Sequence, residues 1–240
     1  MYVRVSEQLG KPPEERQRDV VRIILIDPAG ILKNSDKLRE KFCSKLEYKF
    51  NNLDTNWLKQ AYIGFRVEFR LNEPSNEEKV IFGELDFPVY LLGKQHGYKS
   101  VLDLMTQHKI PKTIKGQNFY DIAKACWEQK DTRGCGISSG EGFKKVGFIK
   151  THRVFEDATG DLWQAFVNVT AHEIGHMGNR LQHSKEGLMK YPLPLHVDID
   201  FDSADKYLFL GDLLRLRSLK EDTVMNKLKP KIREFQWTFR

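Results

Sequence analysis

The sequence predicts an α+β fold, and three observations carry that prediction. Val20 to Ile26 is an almost unbroken β-branched and aliphatic run, the pattern of a strand buried on both faces. Leu38, Phe42, Leu46 and Phe50 recur every fourth residue, which lays an apolar stripe along one side of a helix. Leu162 to Ala171 contains no charged residue, so a helix there must be buried on most sides. With 240 residues, 40% of them hydrophobic, the chain is long enough for a substantial core and too apolar for general disorder.

The elements follow in order. The opening, with Pro12-Pro13 and dense charge, reads as a loop or arm. The first strand, Val20 to Ile26, leaves through the turn Asp27-Pro28-Ala29-Gly30, and Ser35-Asp36 starts a helix that ends near Asn51-Asn52. Ile63 to Leu71 alternates Phe65, Val67 and Phe69 with Arg66, Glu68 and Arg70, as a half-buried strand does, and a polar loop over Asn72 to Glu78 follows. Val80 to Leu92 reads as two short strands broken at Pro88, and Lys99 to His108 and Phe119 to Glu128 read as helices. GCGISSGEG, Gly134 to Gly142, is glycine-rich without the lysine-serine ending of a phosphate loop, so it reads as a mobile loop beside a cleft. Val146 to Phe155 alternates as a strand, and Asp161-x-x-Gln164 opens the uncharged helix with a capping-box pattern. A loop rich in proline and aspartate, Pro192 to Ser203, precedes two helices, Ala204 to Leu219 and Asp222 to Phe235.

Composition excludes several function classes. No apolar run approaches the roughly 20 residues that span a membrane, and the N-terminal stretch lacks the apolar core of a secretion signal. Cys43, Cys126 and Cys135 make a poor disulfide framework, so a cytoplasmic setting is the default, with a secreted mature form left open and one bridge, Cys126 to Cys135, conceivable. The net charge of +6 is spread among acidic residues as a solvated surface, which argues against nucleic acid as a partner. The exception is Lys227 to Arg240, basic and carrying Phe235, Trp237 and Phe239, aromatics expected to dock that tail onto the domain.

The chemistry concentrates at His172-Glu173-Ile174-Gly175-His176. Side chains four apart on a helix stack on the same face, so His172 and His176 can offer ring nitrogens to one ion while Glu173 serves as general base toward water. A catalytic tetrahedral zinc takes a third protein ligand and keeps one open corner. His183 is the nearest donor for that third place; Gln182 is the alternative if register is held rigidly, but an amide is a far poorer ligand than imidazole. Gly178-Asn179 supplies residues suited to the left-handed helix end that would let the chain double back. His152 and His196 lie away from the motif and are read as structural.

The stretch HEIGHMGNRLQHSKEGLMKYP, His172 to Pro192, resembles the metzincins, zinc endopeptidases with the motif H-E-x-x-H-x-x-G-x-x-H and a later methionine turn. It departs in one respect: six residues, Met177 to Gln182, separate the second and third histidines, one more than the family pattern. The resemblance implies a zincin-like fold, a twisted mixed sheet packed on helices with a small C-terminal Met-turn and helical lobe. Residues 1–183 would form the upper domain and 184–240 the lobe, as one catalytic unit. It also implies a zinc-dependent endopeptidase, a hydrolase with one catalytic Zn2+ on His172, His176 and His183. Glu173 would be the base, Met189 a floor beneath the metal, and Tyr191 an oxyanion helper. A protein or peptide substrate would lie extended against a sheet edge, for which Val146 to Phe155 is the candidate.

Other readings stand beside it. A zincin of another branch would take its third ligand from Asp205, in Ala204-Asp205-Lys206-Tyr207, or from Glu221, and could act on a non-protein amide. Asp198, Asp200, Asp202 and Asp205 could instead gather a Ca2+ ion. A metal-binding interaction module using the basic C-terminus is the non-enzymatic alternative. Oligomeric state is not encoded in any feature of the chain.

Overall fold

In the computed structural model the described residues are 19–224, apart from 35, 62, 115, 140–143 and 180–181. The N-terminal arm and the basic C-terminal tail expected from the sequence lie outside them. In chain order the elements are β1 (Asp19–Ile26), α1 (Asp36–Asn51), α2 (Thr55–Ala61), β2 (Ile63–Arg70), α3 (Asn76–Ile81), β3 (Asp86–Leu92), α4 (Tyr98–Gln107), β4 (Thr113–Ile114), β5 (Gln117–Asn118), α5 (Phe119–Glu128), β6 (Gly134–Ser138), β7 (Lys145–Lys150), α6 (Thr151–Asp157), α7 (Leu162–Asn179) and α8 (Ser203–Val224).

The architecture is mixed: a five-stranded sheet of order β2-β1-β3-β7-β6 packs between helices. Four strands run parallel, and β6 pairs antiparallel to β7 at one edge. The β-branched run of β1 explains its central place, because alternate residues feed two cores. Ile23 and Leu25 join Phe42, Phe50 and the motif helix α7 on one face, while Ile24 and Ile26 join Tyr90, Val101, Phe119 and Trp127 on the other. The first core also takes in Leu188, Met189, Leu193, Leu195 and Phe209 from beyond residue 183, so the loop after the motif helix and α8 pack on the same apolar interior. Among the described residues, no helix is long and apolar enough to cross a membrane.

Several expectations need correction. Val80 to Leu92 is not two strands: α3 ends at Ile81, replacing part of the expected polar loop, and β3 runs unbroken through Pro88. Pro88 pairs with Ile24 of β1, and pairing with β7 starts only at Val89, so the missing N–H falls where the second ladder has not begun. GCGISSGEG is no loop at its start, since Gly134–Ser138 is the edge strand β6. Val146 to Phe155 is no edge, since its strand part lies between β3 and β6 and Thr151–Asp157 is helical. A single helix, α8, covers Ala204 to Leu219 and continues to Val224; the rest of the expected Asp222 to Phe235 helix lies outside the described residues. Cys43, Cys126 and Cys135 are free thiols, and the Cys126 thiol donates to the Gly134 carbonyl at 3.0 Å.

Candidate metal centre

The motif helix is positioned by its surroundings on every side. Asp161 caps it, its carboxylate accepting from the Trp163 and Gln164 N–H groups at 3.0 and 3.3 Å. The second half of a capping box is absent, because the Gln164 amide turns instead to Asn168 and Asp198, at 3.0 and 3.1 Å. The helix then presses its backbone against β6. A Cβ on Gly136 would overlap the Glu173 carbonyl oxygen and stand 3.0 Å from the His176 Cβ. One on Gly134 would come within 2.6 Å of a Glu173 carboxylate oxygen. These glycines allow close approach, which is the other meaning of glycine in a strand. The signal was in the sequence as an alternate-residue Gly-x-Gly, and a flexible-loop reading misses it.

Two helical glycines serve packing in the same way. A side chain at Gly175 would meet the Met189 sulfur at 2.6 Å, and one at Gly178 would meet the Phe209 ring at 2.5 Å. Gly178 is therefore not the left-handed residue expected at the helix end: α7 continues through it to Asn179, and its φ is not positive. The left-handed glycine lies later, at Gly187 with φ 68°, where a Cβ would meet the Asp202 backbone nitrogen at 2.5 Å. That turn brings the chain back. Ser184 N–H donates to the Met189 carbonyl at 2.9 Å, and Leu188 N–H to the Asp200 carbonyl at 2.7 Å.

The returning loop completes the site. The Leu188 carbonyl lies 2.7 Å from His172 Nδ1, so that nitrogen carries the proton and Nε2 is left as a lone pair. His172 Nε2 faces His176 Nε2 at 3.1 Å. His183 closes the group: one ligand atom from each of His172, His176 and His183 lies within 4.8 Å of the others. His172 is buried, His176 half-buried and His183 exposed. Two nitrogens bound to one tetrahedral zinc at the usual 2.0–2.1 Å would stand about 3.3 Å apart, so the facing pair already has the separation a shared ion imposes. Burial, the neighbouring His176 and His183 push His172 down to about 3, which keeps it a neutral donor. Partial desolvation also lowers His183, exposed though the residue is as a whole. The donor set fits zinc.

Glu173 is 5% exposed, and its carboxylate lies against Gly134 of β6. Burial and the Cys126 thiol raise its carboxyl well above the usual range, against the pull of the Gly136 N–H and Lys150. Met189 is fully buried beneath the helix. Tyr191 is 39% exposed and its ring stacks on His183, with centroids 4.9 Å apart and planes 22° apart. Gln182 is exposed and outside the imidazole cluster.

The carboxylates of the alternative readings have other work. Asp198 and Asp200 accept from the buried Lys49 ammonium at 2.8 and 2.9 Å, which opposes a Ca2+ site there. Asp202 caps α8 through the Asp205 N–H at 2.8 Å. Asp205 is buried with one carboxylate oxygen unpartnered, and burial chiefly raises its carboxyl. It does not join the imidazoles. The side chain of Glu221 lies outside those described.

No family model matches this chain, and no curated protein matches it. Among solved structures it is similar to archaemetzincin from Methanopyrus kandleri, at 12% identity and a TM-score of 0.43, over 80% of this chain and 95% of that one.

Proposed function

We propose that this chain is a zinc-dependent endopeptidase of the zincin type, with the metzincin-like ligand set His172, His176 and His183. The observation that carries the reading is the convergence of the three imidazoles within 4.8 Å, one of them already oriented by a backbone carbonyl, beside the buried carboxyl of Glu173. When bound, zinc would supply Lewis acidity for water and for the scissile carbonyl. The protein's own groups do the rest. Glu173, held against β6, would act in its ionised form, which the charge of a bound dication favours over the neutral form that burial alone favours, taking a proton from the attacking water and returning it to the leaving amine. Its place in a water-poor recess favours proton transfer over solvation.

Tyr191, stacked on His183 at the open side, would donate its hydroxyl to the oxygen that gains charge. Met189 under Gly175 would fix the height of the helix below the ligands. An extended peptide would add to β6, the antiparallel edge strand of the sheet, with its scissile bond over the imidazoles.

The test is Glu173→Gln beside the wild type. The variant should keep one zinc per chain and lose protein hydrolysis by about 10²–10⁴-fold, the usual contribution of a general base. Cleavage of a denatured protein substrate at the wild-type rate by a zinc-loaded Glu173→Gln chain would reject this mechanism.

A further inference from the structure

Where β3 and β7 end, on the sheet face covered by α4 and α5, there is a cavity of 200 Å³. Six basic side chains from separate segments line it: Lys94, His96, Lys130, Lys150, His152 and Arg153. Trp127 also lines it, and Glu128 is its one acidic residue. A concavity beyond the C-terminal ends of parallel strands is where open sheets place ligands.

The cations here are not consumed by the protein. Lys150 is the exception, its ammonium donating to the Cys126 and Gln129 carbonyls at 3.1 and 2.9 Å and to the Thr132 hydroxyl at 2.6 Å, so it supplies charge to the cavity and few bonds. Lys94 and Lys130 make no hydrogen bond or ion pair among the described residues. Arg153 pairs through one nitrogen with Glu156 at 2.9 Å and keeps its other donors.

The two histidines point the same way. His96 Nδ1 accepts from the Gly93 N–H at 3.2 Å, so in the neutral ring Nε2 bears the proton and is left as a donor. His152 Nδ1 is buried with no partner, although a buried polar atom is ordinarily bonded. Burial lowers His152 most; Glu156 opposes it, and Arg153, Lys150 and Lys94 add to it, so three cations of the cavity lie close enough to act on this ring. Like charges gathered around a small cavity repel one another unless something negative sits among them.

We propose that this cavity binds a compact oxyanion, a carboxylate or phosphate group, held by Lys94, Lys130 and His96 with Arg153 at its side. It is a site separate from the metal centre and does not depend on peptidase activity. One acidic residue among six basic ones leaves no place for a cation, and the volume suits a single anionic group. A phosphate and an acidic side chain present the same chemistry to these donors, and the binding experiment separates them.

Inorganic phosphate and glutarate are titrated in turn into the zinc-loaded full chain, at ionic strength held constant with sodium chloride, and the heat is recorded. At least one should give a saturable, one-to-one isotherm; tighter phosphate assigns the site to phosphate groups, and tighter glutarate to carboxylates. The Lys94→Gln/Lys130→Gln chain should bind that anion at least about tenfold more weakly, as expected on losing charge-assisted bonds. Lys99→Gln, an exposed lysine of α4 outside the cavity, should bind as the wild type does. Both substituted lysines of the double variant are exposed, so its fold should be kept. No saturable heat with either anion, or unchanged affinity in the double variant, would overturn the proposal.

Discussion

The two edges of the sheet are built on opposite principles. At the β2 edge large rings fill the space between strand and helix: Phe65 stacks on Phe50 of α1 with centroids 5.0 Å apart, and Phe209 of α8 lies 5.7 Å from Phe50. At the β6 edge the side chains facing the motif helix are missing: Gly136 lets the strand meet the Glu173 backbone, and Gly134 leaves room for the Glu173 carboxylate. The first edge gains stability from apolar burial. The second gives up that burial and the conformational restriction of a larger residue, and obtains instead a helix pressed directly onto the strand. A ligand set that must converge on one ion needs that kind of fixity more than it needs apolar area.

The contrast can be broken from either end. Gly136→Val should have the largest effect, because the added atoms meet the Glu173 carbonyl and backbone cannot swing aside. A loss of more than about 4 kcal/mol is expected, together with reduced zinc per folded chain, read by urea unfolding and metal analysis. Phe50→Ala should cost about 3–5 kcal/mol by opening a cavity at the other edge. Its zinc content should match the wild type, and a fall would mean that the two edges are not separable.

A smaller effect lies between them, at the central strand β3. Tyr90 Oη and His108 Nε2 are 2.8 Å apart and both residues are buried. Burial pushes His108 down to about 3, from an ordinary 6.5. The unfolded chain therefore binds the proton at higher pH than the folded one, so this contribution to stability is complete above pH 6.5 and is lost as pH falls toward 3. By pH 5 the loss should be about 2 kcal/mol. His108→Gln, followed by urea unfolding at pH 7 and pH 5, should lose about that much less on acidification than the wild type does.

The sequence carried some of this organisation plainly and hid the rest for physical reasons. The four-residue spacing from Leu38 to Phe50 marks α1, whose observed span is Asp36–Asn51, because periodicity and a start signal agree. The helix at Phe119–Glu128 lies where its pattern put it, opened by Asn118, whose side chain accepts from Tyr120 N–H at 3.0 Å. The HExxH spacing brings His172 and His176 together because a helix can do nothing else with it, and His183 joins them despite the longer spacing. What stayed hidden was β6. Gly-x-Gly looks the same whether the chain is loose or is pressed against another backbone, and only the partner distinguishes the two. The misplaced edge at Val146 to Phe155 has a related cause, since strand alternation says nothing about which neighbours a strand acquires. Gly178 was misread because a glycine near a helix end has two uses, and Phe209, thirty-one residues on, decides between them.

If His172, His176 and His183 hold one metal ion together, as proposed, zinc affinity must depend on His183. The direct measurement is a zinc titration against a competing chelator for the wild type, His183→Ala and Gln182→Ala. One zinc per chain is expected in the wild type, with affinity unchanged in Gln182→Ala and weakened by at least about a hundredfold in His183→Ala. Wild-type affinity in His183→Ala would contradict it.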